Sequence, residues 1–390
     1  MSDPPGSSLR DRNRSLWPGP MYETLTETPQ AVSEKRLEPR MLHRIEPLTD
    51  LRWEVFVKRH PRASVFHSRP WLDALRRTYG YEPVAYTTTA PGHPLQDGAV
   101  FCRVESMLTG RRLVSVPFSD HCDLLVSEPQ DLAVFAKGLE RVLHKENWRY
   151  IEIRPLHQTE IVNGLGQSSA IYRFHQLDLR PDLETLLGNC HKSSTQRKIQ
   201  RALREGLVYT EGSDESLLND FYRLLVLARQ RHRLPPQPKS WYRNLTEAFG
   251  RDLKFRLALK DGRPVAGMLT LRYKDTLVYK NGGSDSRFHN LGAMHLLYWE
   301  SIRDAKNLGL RRFDLGRTDA EQAGLIKFKS RWGAEQSTLT YTRFATKGHS
   351  QHVFDQNGSA WKMHLLKHAF ALAPRRLLPA LGTFLYKHAG

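Results

Sequence analysis

One order of elements occurs twice along this 390-residue chain, and a repeat of that length leaves few folds open. In the first half, EPVAYTTT, GAVFCRVESML and RRLVSVPF read as strands, separated by turn signals at PGHP and TG. A helical pattern over 131–146 follows, and then a β run, WRYIEIRP. In the second half, KFRLALKDGRPVAGMLTLRYKDTLVYKNGG gives three strands with turns at KDGRP and KD. A helix spans about 292–308, with Met294, Leu297, Tyr298, Ile302 and Ala305 on its apolar face, and RRFDLGRT closes the unit. RRLVSVPFSD and DTLVYKNGGSD hold equivalent places, as do WRYIEIRP and RRFDLGRT, at an offset of about 165 residues. The expectation is an α/β chain built on a duplicated β-β-β-α-β unit.

Helices fill the remaining length. LTDLRWEVFVKRH and SRPWLDALRRTYG precede the first unit, with Thr49 and Ser68 as N-caps and Pro70 in the first turn of the second helix. Between the units, residues 184–207 are helical in composition and end at Gly206. FYRLLVLARQRHRL, PPQP and SWYRNLTEAFG then form a helical hairpin with a proline-broken tip. The divisions read as a disordered tail over 1–41, rich in Pro, Ser, Glu and Arg, and a first unit over 42–185. A second unit over 186–345 includes the basic helix and the hairpin, and a basic amphipathic segment occupies 346–390.

Charge narrows the partners. The formal net charge is +18, yet residues 1–40 hold six Lys/Arg against six Asp/Glu, so the excess belongs to the folded body. A body of that sign favours phosphates: nucleotides, tRNA, a phosphate-bearing or lipid-linked substrate, or an anionic membrane face. Cys102, Cys122 and Cys190 lie far apart without ligand spacing, and no HExxH pattern accompanies the histidines, so buried thiols and no metal are expected. No apolar run reaches the roughly 20 residues that span a bilayer, and the N-terminus lacks a signal-peptide layout. The expected location is cytoplasmic, with the C-terminal segment docked on the body or on the inner membrane face.

Four stretches carry candidate chemistry. A strand runs through a turn containing Arg287, Asn290 and Gly292 into a helix N-terminus, which aims free N–H groups at an anion. GLIKFKSRWGAE (324–335) places Lys327, Lys329 and Arg331 at alternate positions around Phe328. In the basic helix Arg197, Arg201 and Arg204 share a face with Lys198 beside it, and Glu205 is too lone an acid to pair them off. The hairpin adds Arg229, Arg231, Arg233, Lys239 and Arg243, with Trp241 and Tyr242 interleaved. VPFSDHCDLLV and FDLGRT end strands, and they supply Asp120, His121 and Asp123, and Asp314, Gly316 and Arg317.

The Arg287–Gly292 turn resembles the acyl-CoA-binding loop of GNAT acyltransferases, with Asn290 where that family has its first glycine. Four residues before Gly333, where those enzymes keep a proton-donating tyrosine, stands Lys329. Residues 42–345 are similar to the Fem-like peptidyltransferases and related transferases of envelope and exopolysaccharide clusters, which carry two GNAT-like units in tandem. Phe328-Lys329 matches the FK pair near the end of their second unit.

The resemblance implies two tandem GNAT-like units, each a mixed sheet flanked by helices, with the helical hairpin inserted. It makes Lys329 the group that stabilises the oxyanion when an amine attacks an acyl carbonyl, with Phe328 excluding water. Asp120 and His121 would orient or deprotonate the amine, Arg197, Lys198 and Arg201 would meet phosphate, and Arg317 would grip donor or phosphate, with Asp314 fixing Arg317 or Lys329. Arg287, Asn290 and Gly292 would hold acetyl-CoA or another acyl-CoA. The reading is an N-acyltransferase acting on an amine of a cell-envelope or exopolysaccharide precursor. Aminoacyl-tRNA is the alternative donor, and a non-catalytic RNA-binding protein using the Arg-rich hairpin is the rival of another class.

Overall fold

In the computed structural model, residues 41–106, 110–158, 166–345, 382 and 385–388 are described. The expectations for residues 1–40 and for most of 346–390 lie outside them. No described helix is long and apolar enough to cross a membrane.

The first half contributes β1 (His43–Ile45), α1 (Leu51–Arg59), α2 (Arg69–Tyr79), β2 (Glu82–Thr87), β3 (Ala99–Ser106), β4 (Gly110–Val114), α3 (Pro129–Lys145), β5 (Tyr150–Ile153) and β6 (Gln167–Asp178). Then come α4 (Leu183–Asn189), α5 (Arg197–Arg204) and β7 (Val208–Gly212). The second half repeats the pattern with α6 (Glu215–Arg231), α7 (Lys239–Phe249), β8 (Leu253–Lys260), β9 (Arg263–Tyr273), β10 (Thr276–Ser284), α8 (Ala293–Asn307), β11 (Arg312–Asp319), α9 (Ala323–Ser330) and β12 (Glu335–Ala345).

The described strands form one 12-stranded sheet in the order β1-β2-β3-β4-β5-β12-β6-β11-β10-β9-β8-β7. Only β4 with β5 and β10 with β11 run parallel, and each pair needs a crossover, which α3 and α8 supply. The last strand of each half crosses to the other: β6 pairs with β11, and β12 pairs with β5. The halves therefore share backbone hydrogen bonds at the centre.

Strand alternation sends successive side chains to opposite layers. Val100, Cys102 and Val104 pack with Trp53, Trp71, Phe221 and Trp241, beneath α1, α2, α6 and α7. Phe101 and Leu113 face α3 through Phe135 and Leu139. In the second half Met268, Leu277 and Phe313 meet α8 through Leu297, Tyr298 and Ile302. The two helical pairs join where Trp71 and Trp241 meet edge to face at 5.1 Å. The three cysteines are buried free thiols.

Two local expectations change. Asp50, not Thr49, caps α1: its carboxylate accepts the Arg52 N–H at 3.0 Å, while the Thr49 hydroxyl turns back to the Glu46 carbonyl. The helix expected over 184–207 is two helices joined by an extended Cys190 and a π-type turn, Lys192–Gln196. The break has a partner, since His191 N–H and the Thr195 hydroxyl both donate to the Arg331 carbonyl at the end of α9. At the far C-terminus, the Tyr386 hydroxyl donates to the Pro235 carbonyl at 3.1 Å and its ring meets Phe118, so this short piece docks on the body.

Candidate active site

β10 and β11 pair for only three residues, Thr276–Val278 against Arg312–Asp314, and then part. Bulges account for the parting: β10 shifts register against β9 between Tyr279 and Asn281, and β11 shifts against β6 between Asp314 and Arg317. A cavity of about 760 Å³ opens there. Its walls are the Tyr279–Ser284 strand end, the segment of Arg317, Asp319 and Gln322, and the basic end of α6 (Arg229, Arg231) with Arg233 in the turn after it.

The β11 bulge turns on Gly316, whose φ is +73°. A methyl group there would press on an Asp120 carboxylate oxygen at 3.2 Å, and the left-handed backbone itself favours glycine. The bulge is tied at both ends. Asp314 Oδ1 accepts the Gly316 N–H at 2.7 Å, and Lys329 Nζ donates to the carbonyls of Gly316 (2.9 Å) and Arg317 (3.1 Å). Lys329 is 1% exposed.

Asp120 arrives from the first half. After β4 the chain passes through Val116 and Phe118, both in left-handed backbone at φ +53° and +61°. For a β-branched residue that conformation costs about 1–3 kcal/mol. The loop is pinned by the Arg154 guanidinium on the Val116 carbonyl and by the Tyr341 hydroxyl on the Asp120 carbonyl at 2.7 Å. So held, Asp120 Oδ2 accepts from Lys280 Nζ at 3.1 Å, and Oδ1 lies 3.6 Å from Arg317 Nε. The Arg317 guanidinium stacks on Tyr172 at 4.2 Å and Tyr341 at 5.1 Å.

Burial opposes charge on all these groups, and their mutual proximity decides the outcome. For Asp120 burial favours the neutral form, but Lys280 and Arg317 overcome it and hold the carboxyl below its usual range. Lys280 is lowered by burial, against the pull of Asp120. Lys329 is pushed down to about 8 by burial, with Asp120 and Asp314 resisting. His121 bonds Asp314 Oδ2 at 3.0 Å, and that carboxylate outweighs burial and raises the imidazole.

Asp120, His121, Asp314, Arg317 and Lys329, far apart in the chain, thus share one connected cluster. Phe328 packs its ring against His295, Tyr298 and Trp332. Asp123 ties the loop after β4 to the segment after β5, accepting the Leu156 and His157 N–H groups and bonding the His157 ring. Arg197 and Lys198 are exposed on α5. Arg201 pairs with Glu205 at 3.3 Å, a partner one helical turn along that the sequence reading set aside.

The Arg287–Gly292 turn is a 3₁₀ segment in which Arg287 is bound by the Asp285 carboxylate at 3.0 and 2.5 Å. Gly292, at φ +81°, abuts the Lys198 carbonyl so closely that any side chain would collide with it.

Sequence reasoning missed Lys280, Tyr172 and Tyr341. For Lys280 a signal existed, a lysine two positions beyond the core residue Val278 in a central strand. Tyr172 and Tyr341 gave none, because β6 and β12 were not recognised as the exchanged strands.

Residues 191–330 match the model of the acetyltransferase (GNAT) domain family. The UDP-N-acetylmuramoylpentapeptide-lysine N(6)-alanyltransferase of Weissella viridescens is 25% identical over 142 residues, which cover 36% of this chain and 42% of that protein. The match thus spans less than half of that relative's length. The crystal structure of FemX superposes with a TM-score of 0.61, over 82% of this chain and 99% of FemX, at 14% identity. A tandem GNAT protein from the clavulanic acid biosynthesis pathway gives 0.50 over 78% of this chain and 98% of its own, at 13% identity.

Proposed function

We propose an aminoacyl transfer, starting from a chain whose residues 191–330 match the GNAT domain family and which superposes on FemX over 82% of its length. The donor is an ester at the 3′ end of a charged tRNA, and the acceptor is a primary amine on a phosphate-bearing cell-wall precursor. One observation carries this reading. Where β10 and β11 part, a carboxylate held ionised, Asp120, sits beside two cations that line an open cleft, Lys280 and Arg317.

The chemistry follows from that arrangement. The amine nitrogen adds to the acyl carbon, and the carbonyl electron pair moves onto oxygen. A fixed cation at that oxygen is worth about 3–4 kcal/mol of barrier. The ester C–O bond then breaks, leaving an amide, and the proton shed by nitrogen ends on the departing alcohol oxygen. Asp120, kept anionic by its neighbours, is suited to accept a hydrogen bond from the amine and so aim its lone pair. The relative named as an alanyltransferase, the basic end of α6 and the exposed cations of α5 support an RNA-borne donor. The family match over 191–330 favours a second reading, an acyl-CoA thioester donor.

The test uses bulk aminoacylated tRNA or acetyl-CoA as donor and hydroxylamine as amine probe. Aminoacyl hydroxamate should form well above the enzyme-free rate, and Asp120→Ala should abolish the gain. Acetyl-CoA consumption without use of charged tRNA would sink the ester donor. Salt-sensitive tRNA binding with no turnover of either donor would sink the transferase reading and favour the RNA-binding rival.

A further inference from the structure

The cleft and the loop that carries Asp120 come from distant parts of the chain, and one short C-terminal piece touches both. The Tyr386 hydroxyl donates to the Pro235 carbonyl at 3.1 Å, just beyond Arg233 and Leu234 on the cleft wall. Gly382 fits against the next carbonyl, that of Pro236, so closely that any side chain would collide with it. The Tyr386 ring meets Phe118 edge to face at 5.5 Å, two residues before Asp120. Further contacts hold the piece on the first half. The Tyr386 carbonyl accepts from the Tyr81 hydroxyl at 2.5 Å, and the His388 carbonyl accepts from Arg112 Nη2 at 2.8 Å. His388 Nδ1 lies 3.0 Å from the Ser106 hydroxyl.

Phe118 gives this docking its leverage. It keeps left-handed backbone at φ +61°, with its ring also against Tyr79 and Trp241. Strained backbone persists only where its surroundings over-determine it, and Tyr386 is one side of that packing. We infer that residues 382 and 385–388 act as a strap across the site, with Tyr386 the positioning residue that ties the cleft wall after α6 to the Asp120 loop. The strap rests on these contacts and on no particular substrate. Its release leaves the sheet paired and lets the wall and the loop move independently.

The two ends of Tyr386 can be loosened separately in the full chain. Tyr386→Phe keeps the ring against Phe118 and removes the bond to Pro235. Backbone hydrogen exchange should quicken about five-fold over 231–237, the effect of one lost hydrogen bond, and hold the wild-type rate over 115–121. Tyr386→Ala should quicken both segments while β8 and β9 exchange as in wild type. With charged tRNA and hydroxylamine, Tyr386→Phe should raise KM at least about three-fold at unchanged kcat, as for a loss of binding alone. Tyr386→Ala should lower kcat as well, because the Asp120 loop is freed. Wild-type exchange over both segments in Tyr386→Ala, or exchange quickened across β8 and β9 too, would overturn the strap. A wild-type protein that turns over no charged tRNA removes the transfer reading, and the exchange pattern then decides the strap by itself.

Discussion

Replacing Lys329 by methionine keeps the volume and deletes the ammonium. Two buried carbonyls, Gly316 and Arg317, lose their donor, at about 1–3 kcal/mol each. Against this, the folded state no longer holds a cation it disfavours. Burial lowers the Lys329 pKa from 10.5 to about 8, which converts to about 3 kcal/mol. Near neutral pH the terms leave a net change between about −1 and +3 kcal/mol, centred on a loss of about 1 kcal/mol. The pH dependence is more telling. Because the folded pKa lies below the unfolded one, the folded wild type binds fewer protons between pH 8 and 10.5, so its stability rises through that window. A neutral amine still has two N–H donors for the two carbonyls. The gap between wild type and Lys329→Met should therefore widen from pH 7 to pH 9.5 in urea unfolding followed by tryptophan fluorescence. A gap that narrows with pH, or a variant as stable as wild type at both values, would refute the burial and bonding described for Lys329.

Gly316→Ala should cost roughly 1–2 kcal/mol for the left-handed backbone alone, and displace Asp120 by contact. Urea unfolding and hydroxamate formation check both, with turnover falling further than stability. Glu152 is buried between Arg154 and Arg343, which overcome burial and take its pKa to about 2. Its stabilisation is present above pH 4.5 and lost as pH falls from there toward 2, so Glu152→Gln should flatten acid unfolding over that window. Alanine at both Arg197 and Lys198 should leave stability within about 0.5 kcal/mol, as for exposed residues. The same pair should lower charged-tRNA affinity and reduce the salt slope by about one per lost phosphate contact.

The repeat made the strand order within each half and the crossover helices legible, because alternation and turn residues are local signals. Where β6 and β12 insert was not legible. Exchange between halves depends on which edges meet, and edges leave no mark on periodicity. The cluster shows the same division. Asp120, Arg317 and Lys329 stood out as charged residues at strand or helix ends, whereas Lys280 lay inside a strand that reads as core. The helix break at Cys190 escaped because its cause is the Arg331 carbonyl, more than a hundred residues away. Arg201–Glu205, by contrast, was readable at a spacing of four, and one acid was enough to pair one arginine.

The central claim is that the parting of β10 and β11 receives the acyl donor. A non-hydrolysable donor, 3′-aminoacylamino-3′-deoxyadenosine, tests this directly by backbone hydrogen exchange. The account predicts protection confined to 279–284 and 317–322, weakened in Arg317→Ala. Binding that protects neither segment, or that persists unchanged in Arg317→Ala, would contradict it.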